Sequence, residues 1–228
     1  MTALDMGTPG TLAAGAARPA VLAGIVHHAV RRDLERLDRV LAEPVTAVRR
    51  AALIRHTGFL LDQQQAQFAL LDHQFRAVAD PADPELSSRC AQAHRSHDEL
   101  AGVQITLRGS LSHWRTAPGD RAAVRAALHD FAAGVQPVLD QNSELLSMLG
   151  TVALPFGGVT GVGSVRMVPT KRAHQLFWLL DGLDPARAAH LLQGTRRSTL
   201  WVLRNGFSGA YNRSAYLMWT GGGTGPAV

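Results

Sequence analysis

The sequence predicts an all-α protein: an antiparallel up-down-up-down four-helix bundle followed by a C-terminal helical appendage. Three observations predict this fold class. Residues that favour helices (Ala, Leu, Arg and Gln) dominate the composition, and runs of β-branched residues are rare. Four long segments carry apolar residues every three or four positions. Short turns that contain proline separate these segments, and short connections favour antiparallel neighbours.

The first long segment, from about Ala20 to Ala42, sets the pattern. Its inward seam is predicted to comprise His27, Val30, Leu34, Leu37 and Leu41. The opposite face, expected to lie in solvent, comprises His28, Arg31, Arg32, Glu35 and Asp38. The helix should end before Pro44, because the residue before a proline disfavours the helical conformation. The adjacent histidines therefore face different environments, with His27 inside the bundle.

The other three long helices are predicted from about Val45 to Ala79, Glu85 to Trp114 and Asp120 to Leu149. Asp83 can cap the third helix with Pro84 in its first turn, and Pro137 should bend or split the fourth.

Several polar residues fall on the predicted inward seams. Besides His27 they are Gln64, Gln67, His97, Gln104 and Asn142. An unpaired buried polar group costs about 1–3 kcal/mol, so such a set indicates bonds between its members, to water or to a ligand. For Gln64 and Gln67 the alternative is a stretch of solvated glutamines on a helix exposed at mid-length.

Residues outside the predicted bundle (19–150) divide into four parts. Residues 1–18 are expected to be a disordered lead-in, 151–168 a glycine-rich crossover loop, and 221–228 a disordered tail. The segment 169–220 should contain short helices, one starting at an Asp184–Pro185 cap. Its aromatic residues suit a lid, packing on the bundle or a homodimer interface; they are Trp178, Trp201, Tyr211, Tyr216 and Trp219.

Composition limits the function classes. The formal net charge is +5, but arginines alternate with acidic residues, so we expect no nucleic-acid partner. Cys90 is the only cysteine, which excludes an internal disulfide and fits a reducing compartment. The N-terminus lacks the features of a signal peptide, and no apolar run is long enough to span a membrane. We therefore expect a cytoplasmic bacterial protein.

The pattern resembles the haemerythrin-like (HHE cation-binding) family in its longer actinobacterial form. The matching pieces are the run from His27 to Leu34, Arg55-His56 leading to Leu61-Asp62, the run from His94 to Leu100, and the C-terminal run from Phe177 to Pro185. In that family, four antiparallel helices hold two iron ions through histidines and carboxylates.

The resemblance implies a metal site that has lost ligands. His27 and His97 match the family histidines of the first and third helices, with His94 as the alternative to His97. Gln67 and Leu71 align with the His and Glu of the second helix. Val138 and Asn142 align with the His and carboxylate of the fourth, with Ser143 and Glu144 nearby if the register is shifted. Leucine and valine cannot bind iron, and neutral amides are weak ligands. If a metal is retained, His27 and His97 are the ligands that the resemblance leaves.

Three functions remain open. We expect no cofactor, and a pocket that binds a small molecule through Gln64, Gln67, Gln104 and Asn142. His27 and His97 are its candidate acid–base catalytic residues. The first alternative is a non-haem iron protein that binds or senses O₂ or NO. The second is a structural or partner-binding bundle whose polar interior holds only water.

Overall fold

The computed structural model describes residues 10–79, 82–149, 169–192, 201, 205–206 and 208–220. Apart from caps and turns, these residues are helical, and no strand occurs among them. The helices are α1 (Gly10–Leu41), α2 (Ala47–Val78), α3 (Pro84–Thr116), α4 (Arg121–Leu149), α5 (Pro169–Leu180), α6 (Pro185–Leu192) and α7 (Ser208–Trp219). The predicted all-α class is confirmed.

The four long helices pack together. α4 lies between α1 and α3, and α2 packs on the other side of α3. The short helix α5 packs on α1 and α7, and α7 contacts both α1 and α2. None of the described helices is both long and apolar enough to cross a lipid bilayer.

Side-chain caps start the helices where the sequence indicates. Thr46 accepts a hydrogen bond from the backbone N–H of Arg49 at the start of α2. Asp83 accepts one from Leu86 at the start of α3, and Pro84 is in its first turn, as predicted. Asp184 does the same for Arg187 at the start of α6. Each cap satisfies an N–H that has no acceptor within its own helix.

The predicted start of the first helix is wrong. α1 begins at Gly10, so residues 10–18 of the predicted lead-in are helical. The alanine-rich sequence there has high helix propensity, which outweighs its glycines. α4 continues through Pro137 as one helix, so the proline does not split it, and the predicted bend stays a prediction. The predicted loop 151–168 and tail 221–228 lie outside the described residues.

The predicted seams are buried. On α1 the residues from His27 to Leu41 that were assigned to the seam are all buried. On α3 and α4 the predicted interior residues His97, Gln104 and Asn142 are buried as well. On α2, Gln64 is buried whereas Gln67 is half-buried.

The outer face of α1 is not the solvent-facing surface that the sequence predicts. The guanidinium of Arg32 donates to the backbone oxygens of Trp178 (3.1 Å) and Asp181, and Arg36 donates to the Asp181 carboxylate at 2.5 Å. His28 contacts the backbone oxygen of Gly182 at 3.3 Å. The C-terminal helices therefore cover part of this face and supply the partners of Arg32. Arg31 pairs instead with Asp140 of α4, and Glu35 is exposed.

A buried carboxylate lies at the centre of this contact. Asp33, 1% exposed, accepts hydrogen bonds from His56 Nε2 at 2.6 Å and from Trp178 Nε1 at 2.8 Å. Its other oxygen accepts from Arg32 Nε at 2.8 Å. We call the whole set the docking network; its residues are Arg32, Asp33, Arg36, His56, Trp178 and Asp181.

The C-terminal aromatic residues mostly pack within the chain. Trp178 is fully buried and Tyr211 is buried, and both belong to the core that the bundle forms. Tyr216 and Trp219 are half-buried, whereas Trp201 is 67% exposed. Packing of this segment on the bundle is confirmed, and the homodimer stays a prediction.

Candidate functional site

A layer of polar side chains interrupts the apolar core of the bundle. The buried apolar residues form two separate clusters. On α3, Ala93 belongs to the smaller cluster and Leu100 to the larger, with His97 between them. The residues that we call the polar layer are His27 (α1), Asp72 (α2), His97 (α3), and Asn142 and Ser143 (α4). All four long helices contribute to it.

His27 is held through one ring nitrogen. Its Nδ1 lies 3.0 Å from Ser143 Oγ, and that hydroxyl donates its own hydrogen to the backbone oxygen of Leu139. Ser143 must therefore accept from Nδ1–H, which leaves a lone pair on Nε2. Burial, helped by the positive charge of Arg31 and opposed by Asp140, lowers the His27 pKa to about 4. The ring is neutral at pH 7.

His97 is held through both ring nitrogens. Nδ1 donates to Asp72 Oδ1 at 2.7 Å, and Nε2 lies 3.1 Å from Asn142 Oδ1. In this orientation of the Asn142 amide both ring nitrogens face oxygen acceptors and both carry hydrogens, which is the charged imidazolium with Asp72 as its counter-ion. The ring of Phe68 stacks on the imidazole at a centroid distance of 4.1 Å. These contacts fix the ring in one orientation.

The two imidazoles meet the same turn of α4, because Asn142 and Ser143 are consecutive. Asn142 contacts His97 and Ser143 contacts His27. The structure thus brings together the predicted site residues His27, His97 and Asn142.

Two buried atoms of the layer have no hydrogen-bond partner among the described residues. They are His27 Nε2, an acceptor, and Asn142 Nδ2, a donor. Turning the Asn142 amide over exchanges its two ends and leaves the oxygen unpartnered instead. Buried polar atoms are almost always satisfied in proteins, so unpartnered ones call for water or a ligand.

The glutamines of the predicted site lie apart from the layer. Gln104 is seven residues from His97 along α3, which is two turns or about 10 Å. Gln64 is fully buried, donates a long 3.4 Å hydrogen bond to Gln67, and has an unpartnered Oε1. Phe68 lies between Gln64 and Asp72 in the sequence of α2. Gln67 is half-buried, so its predicted interior position is only partly right.

A groove of about 340 Å³ runs along the outside of the layer between α3 and α4. Its lining includes Ser96 and Gln141, the sequence neighbours of His97 and Asn142. An exposed ion pair between Arg89 and Glu144 (2.8 Å) lies across it. The groove is the surface depression next to the buried histidine–amide pair.

Sequence reasoning missed Asp72, and it reached Ser143 only as a neighbour of Asn142 under a shifted register. Asp72 is 9% exposed and contacts two histidines of α3, but it follows Leu71 and so fell beside the predicted seam. Asp72 lies four residues after Phe68 and therefore on the same face of α2, and this spacing could have indicated that Asp72 faces the interior. Ser143 is exposed overall, and nothing in the sequence marks its contact with His27.

Comparison of the chain with protein-family models, with curated proteins and with solved structures finds no match. The implied di-iron centre was therefore tested on the residues themselves. Among the described residues, no group of three or more His, Cys, Asp or Glu side chains is placed to hold a metal ion. The carboxylate of the layer, Asp72, is already bonded to His94 and His97. This donor set does not fit two iron ions, which need bridging carboxylates and several imidazoles.

Proposed function

We propose that this protein binds a small neutral polar molecule at the polar layer. The observation that carries the proposal is the pair of unpartnered buried atoms, His27 Nε2 and Asn142 Nδ2. A molecule that donates a hydrogen bond to the first and accepts one from the second would satisfy both. Small amides and alcohols carry that combination. A charged ligand is disfavoured, because Asp72 and His97 already neutralise each other.

The layer also holds the parts of an acid–base pair. His27 is the neutral imidazole with a free lone pair, and His97 is the imidazole that donates from both nitrogens. Neighbouring titratable groups held in opposite protonation states are the usual arrangement for proton transfer to and from a substrate. In this proposal Asn142 orients the ligand, and Asp72 positions His97.

An antiparallel up-down-up-down order belongs to the same proposal, because it brings the four layer segments to one level. Three sets of contacts support it. Between α1 and α4, His27 contacts Ser143 whereas Asp38 contacts Arg125. Between α2 and α3, Asp62 contacts Arg108 whereas Asp72 contacts His97.

Between α3 and α4, Arg89 contacts Glu144, whereas the position of Gly134 faces Leu100. In each set, residue numbers rise on one helix as they fall on its partner. Such pairs are expected of antiparallel neighbours.

A binding experiment tests the proposal with acetamide as the probe, since it offers both an N–H donor and a carbonyl acceptor. We expect acetamide to shift the NMR signals of the His27 and His97 rings, and to lose this effect in His27→Leu. The variant His73→Gln is the control, because His73 lies exposed on α2. Equal shifts in wild type and His27→Leu would contradict the proposal.

The native protein supplies an independent check. Native mass spectrometry of freshly purified protein should detect a bound mass beyond the polypeptide that disappears in His27→Leu. Elemental analysis of the same sample decides the iron alternative. Two iron atoms per chain would replace the proposed ligand by a metal centre.

A further inference from the structure

The half-exposed His94 connects the polar layer to solvent. Its Nδ1 lies 3.2 Å from Asp72 Oδ2, and its side chain is 49% exposed. The other oxygen of the same carboxylate, Oδ1, accepts from His97 Nδ1 at 2.7 Å. One carboxylate thus bridges a solvent-facing imidazole and a buried one.

We propose that His94, Asp72 and His97 form a proton path between solvent and the buried layer. This inference rests on the proposed function, in which His97 acts as a buried acid. A buried acid that gives up a proton must recover one from solvent. The Nδ1–H of His97 is directed at Asp72 and not at water, since the His97 side chain is 3% exposed. Exchange of that proton with solvent has to pass through Asp72 unless the bundle opens.

The first step is a proton transfer along the hydrogen bond from His97 to Asp72, the second crosses the 3.2 Å between Asp72 Oδ2 and His94 Nδ1, and the charges balance. His97 passes its Nδ1 proton to Asp72 Oδ1 and becomes neutral, and the Asp72 carboxyl becomes neutral as well. The carboxyl group then turns about its Cβ–Cγ bond so that the protonated oxygen faces His94. It gives the proton to the lone pair of His94 Nδ1, which restores the carboxylate and leaves an imidazolium at the surface. Water takes a proton from His94, and the reverse sequence recharges His97. Every donor and acceptor is a side chain of this protein.

The charged surroundings favour a cation at the surface end. Asp98 Oδ2 lies 3.7 Å from His94 Nε2, one turn further along α3. On α2, the Asp72 carboxylate faces the other ring nitrogen, and Arg76 is bound to the backbone oxygen of Asp72. His94 therefore lies between two carboxylates when it carries the proton.

The geometry also gives His94 and His97 different roles. They are three residues apart on α3, which places them on neighbouring positions of one face. His97 stacks on Phe68 inside the bundle, whereas His94 reaches the same carboxylate from outside. A merely structural ion pair would not need the second, exposed imidazole, because Asp72 is already paired with His97.

The test measures how fast the His97 ring proton exchanges with water, by NMR on ligand-free protein with ¹⁵N-labelled histidine. Positioned general acid–base groups typically speed proton transfer by about 10²–10⁴, so we expect His94→Ala to slow this exchange by about tenfold or more. Free imidazole added to His94→Ala should restore part of the rate. The control His73→Gln, on an exposed α2 histidine, should exchange like wild type.

A second variant distinguishes loss of the proton path from a change in folding. Asp98→Asn keeps Asp72 and His97 intact and removes only the outer carboxylate, so we expect a smaller slowing than in His94→Ala, and an unchanged melting temperature. Exchange that is unchanged or faster in His94→Ala, or too fast to measure in every variant, would overturn the path. Because no ligand is added, failure of acetamide binding leaves the result intact. Conversely, acetamide binding together with an exchange rate that does not depend on His94 refutes the path and leaves the proposed function standing.

Discussion

Burial of His27 costs folding free energy, and this cost can be measured as a pH dependence of stability. The His27 pKa is lowered to about 4 by burial and by Arg31, whereas the unfolded chain has the ordinary value of 6.5. Between these two values the unfolded state binds more protons than the folded state, so stability rises with pH across that window and falls as pH drops from 6.5 to 4. A shift of this size corresponds to about 3 kcal/mol.

We expect His27→Leu to remove that part of the pH dependence. At neutral pH the variant should also be more stable than wild type by about 1 kcal/mol, because it eliminates an unpartnered buried nitrogen at similar side-chain volume. Urea unfolding followed by circular dichroism, at several pH values between 4 and 7.5, measures both effects. A variant with the wild-type pH slope would show that His27 is not buried as a neutral ring. His73→Gln should leave the curve unchanged.

At the scale of helices, the docking network holds the C-terminal helices α5 to α7 against α1 and α2. Burial raises the pKa of Asp33, but hydrogen bonds and positive charge from His56 and Arg32 outweigh it and lower the pKa below its ordinary value. For Asp181, burial is likewise outweighed by Arg36 and Arg32. These contributions to stability are complete above the unfolded pKa of an aspartate and are lost as pH falls through the folded value.

Asp33→Asn should release the C-terminal helices before the bundle unfolds. Removing one partner from a buried ion pair costs about 3–5 kcal/mol, because Arg32 and His56 lose their carboxylate. We expect trypsin to cut the variant faster than wild type after Arg187 and Arg213, both exposed. Asp140→Asn is the matched control, since it breaks the surface pair with Arg31, and such pairs contribute about 0–1 kcal/mol. Equal cleavage in both variants would contradict the role of Asp33.

The same network shows where prediction from sequence stops. The seams of α3 and α4 follow from helical periodicity alone, so His97 and Asn142 were placed inside correctly. The outer face of α1 reads as solvated because its charges alternate. What covers it is Asp181 and Trp178, about 145 positions further along the chain, and no local pattern indicates a contact at that separation.

The polar layer was likewise predictable only in part. Residues on inward seams could be listed, but which of them touch depends on the relative height of the helices. That height separates Gln64 from His97 and brings Asp72 to it, whereas Gln104 lies two turns from His97 on the same helix. The spacing of residues along one helix does not show how far that helix is shifted along its axis relative to its neighbours. The contact between His97 and Asp72 could therefore be found only in the structure.

At the scale of the whole molecule, one apolar cluster joins the bundle and the C-terminal helices. Trp178, Leu179, Tyr211 and Met218 belong to the same cluster as the bundle residues. Burying a large apolar side chain contributes about 1.5–3 kcal/mol, so the C-terminal helices add a substantial share of the stability of that cluster.

We therefore expect the bundle and its C-terminal helices to unfold together at neutral pH. Circular dichroism reports mainly the four long helices, whereas tryptophan fluorescence reports largely Trp178, Trp201 and Trp219 in the C-terminal part and Trp114 on α3. Coincident urea curves from the two probes would show one cooperative unit. In Asp33→Asn the curves should separate, with fluorescence changing first, because the variant weakens docking and leaves the α3–α4 core intact. Separate curves in wild type would mean that the shared apolar cluster does not couple the two parts.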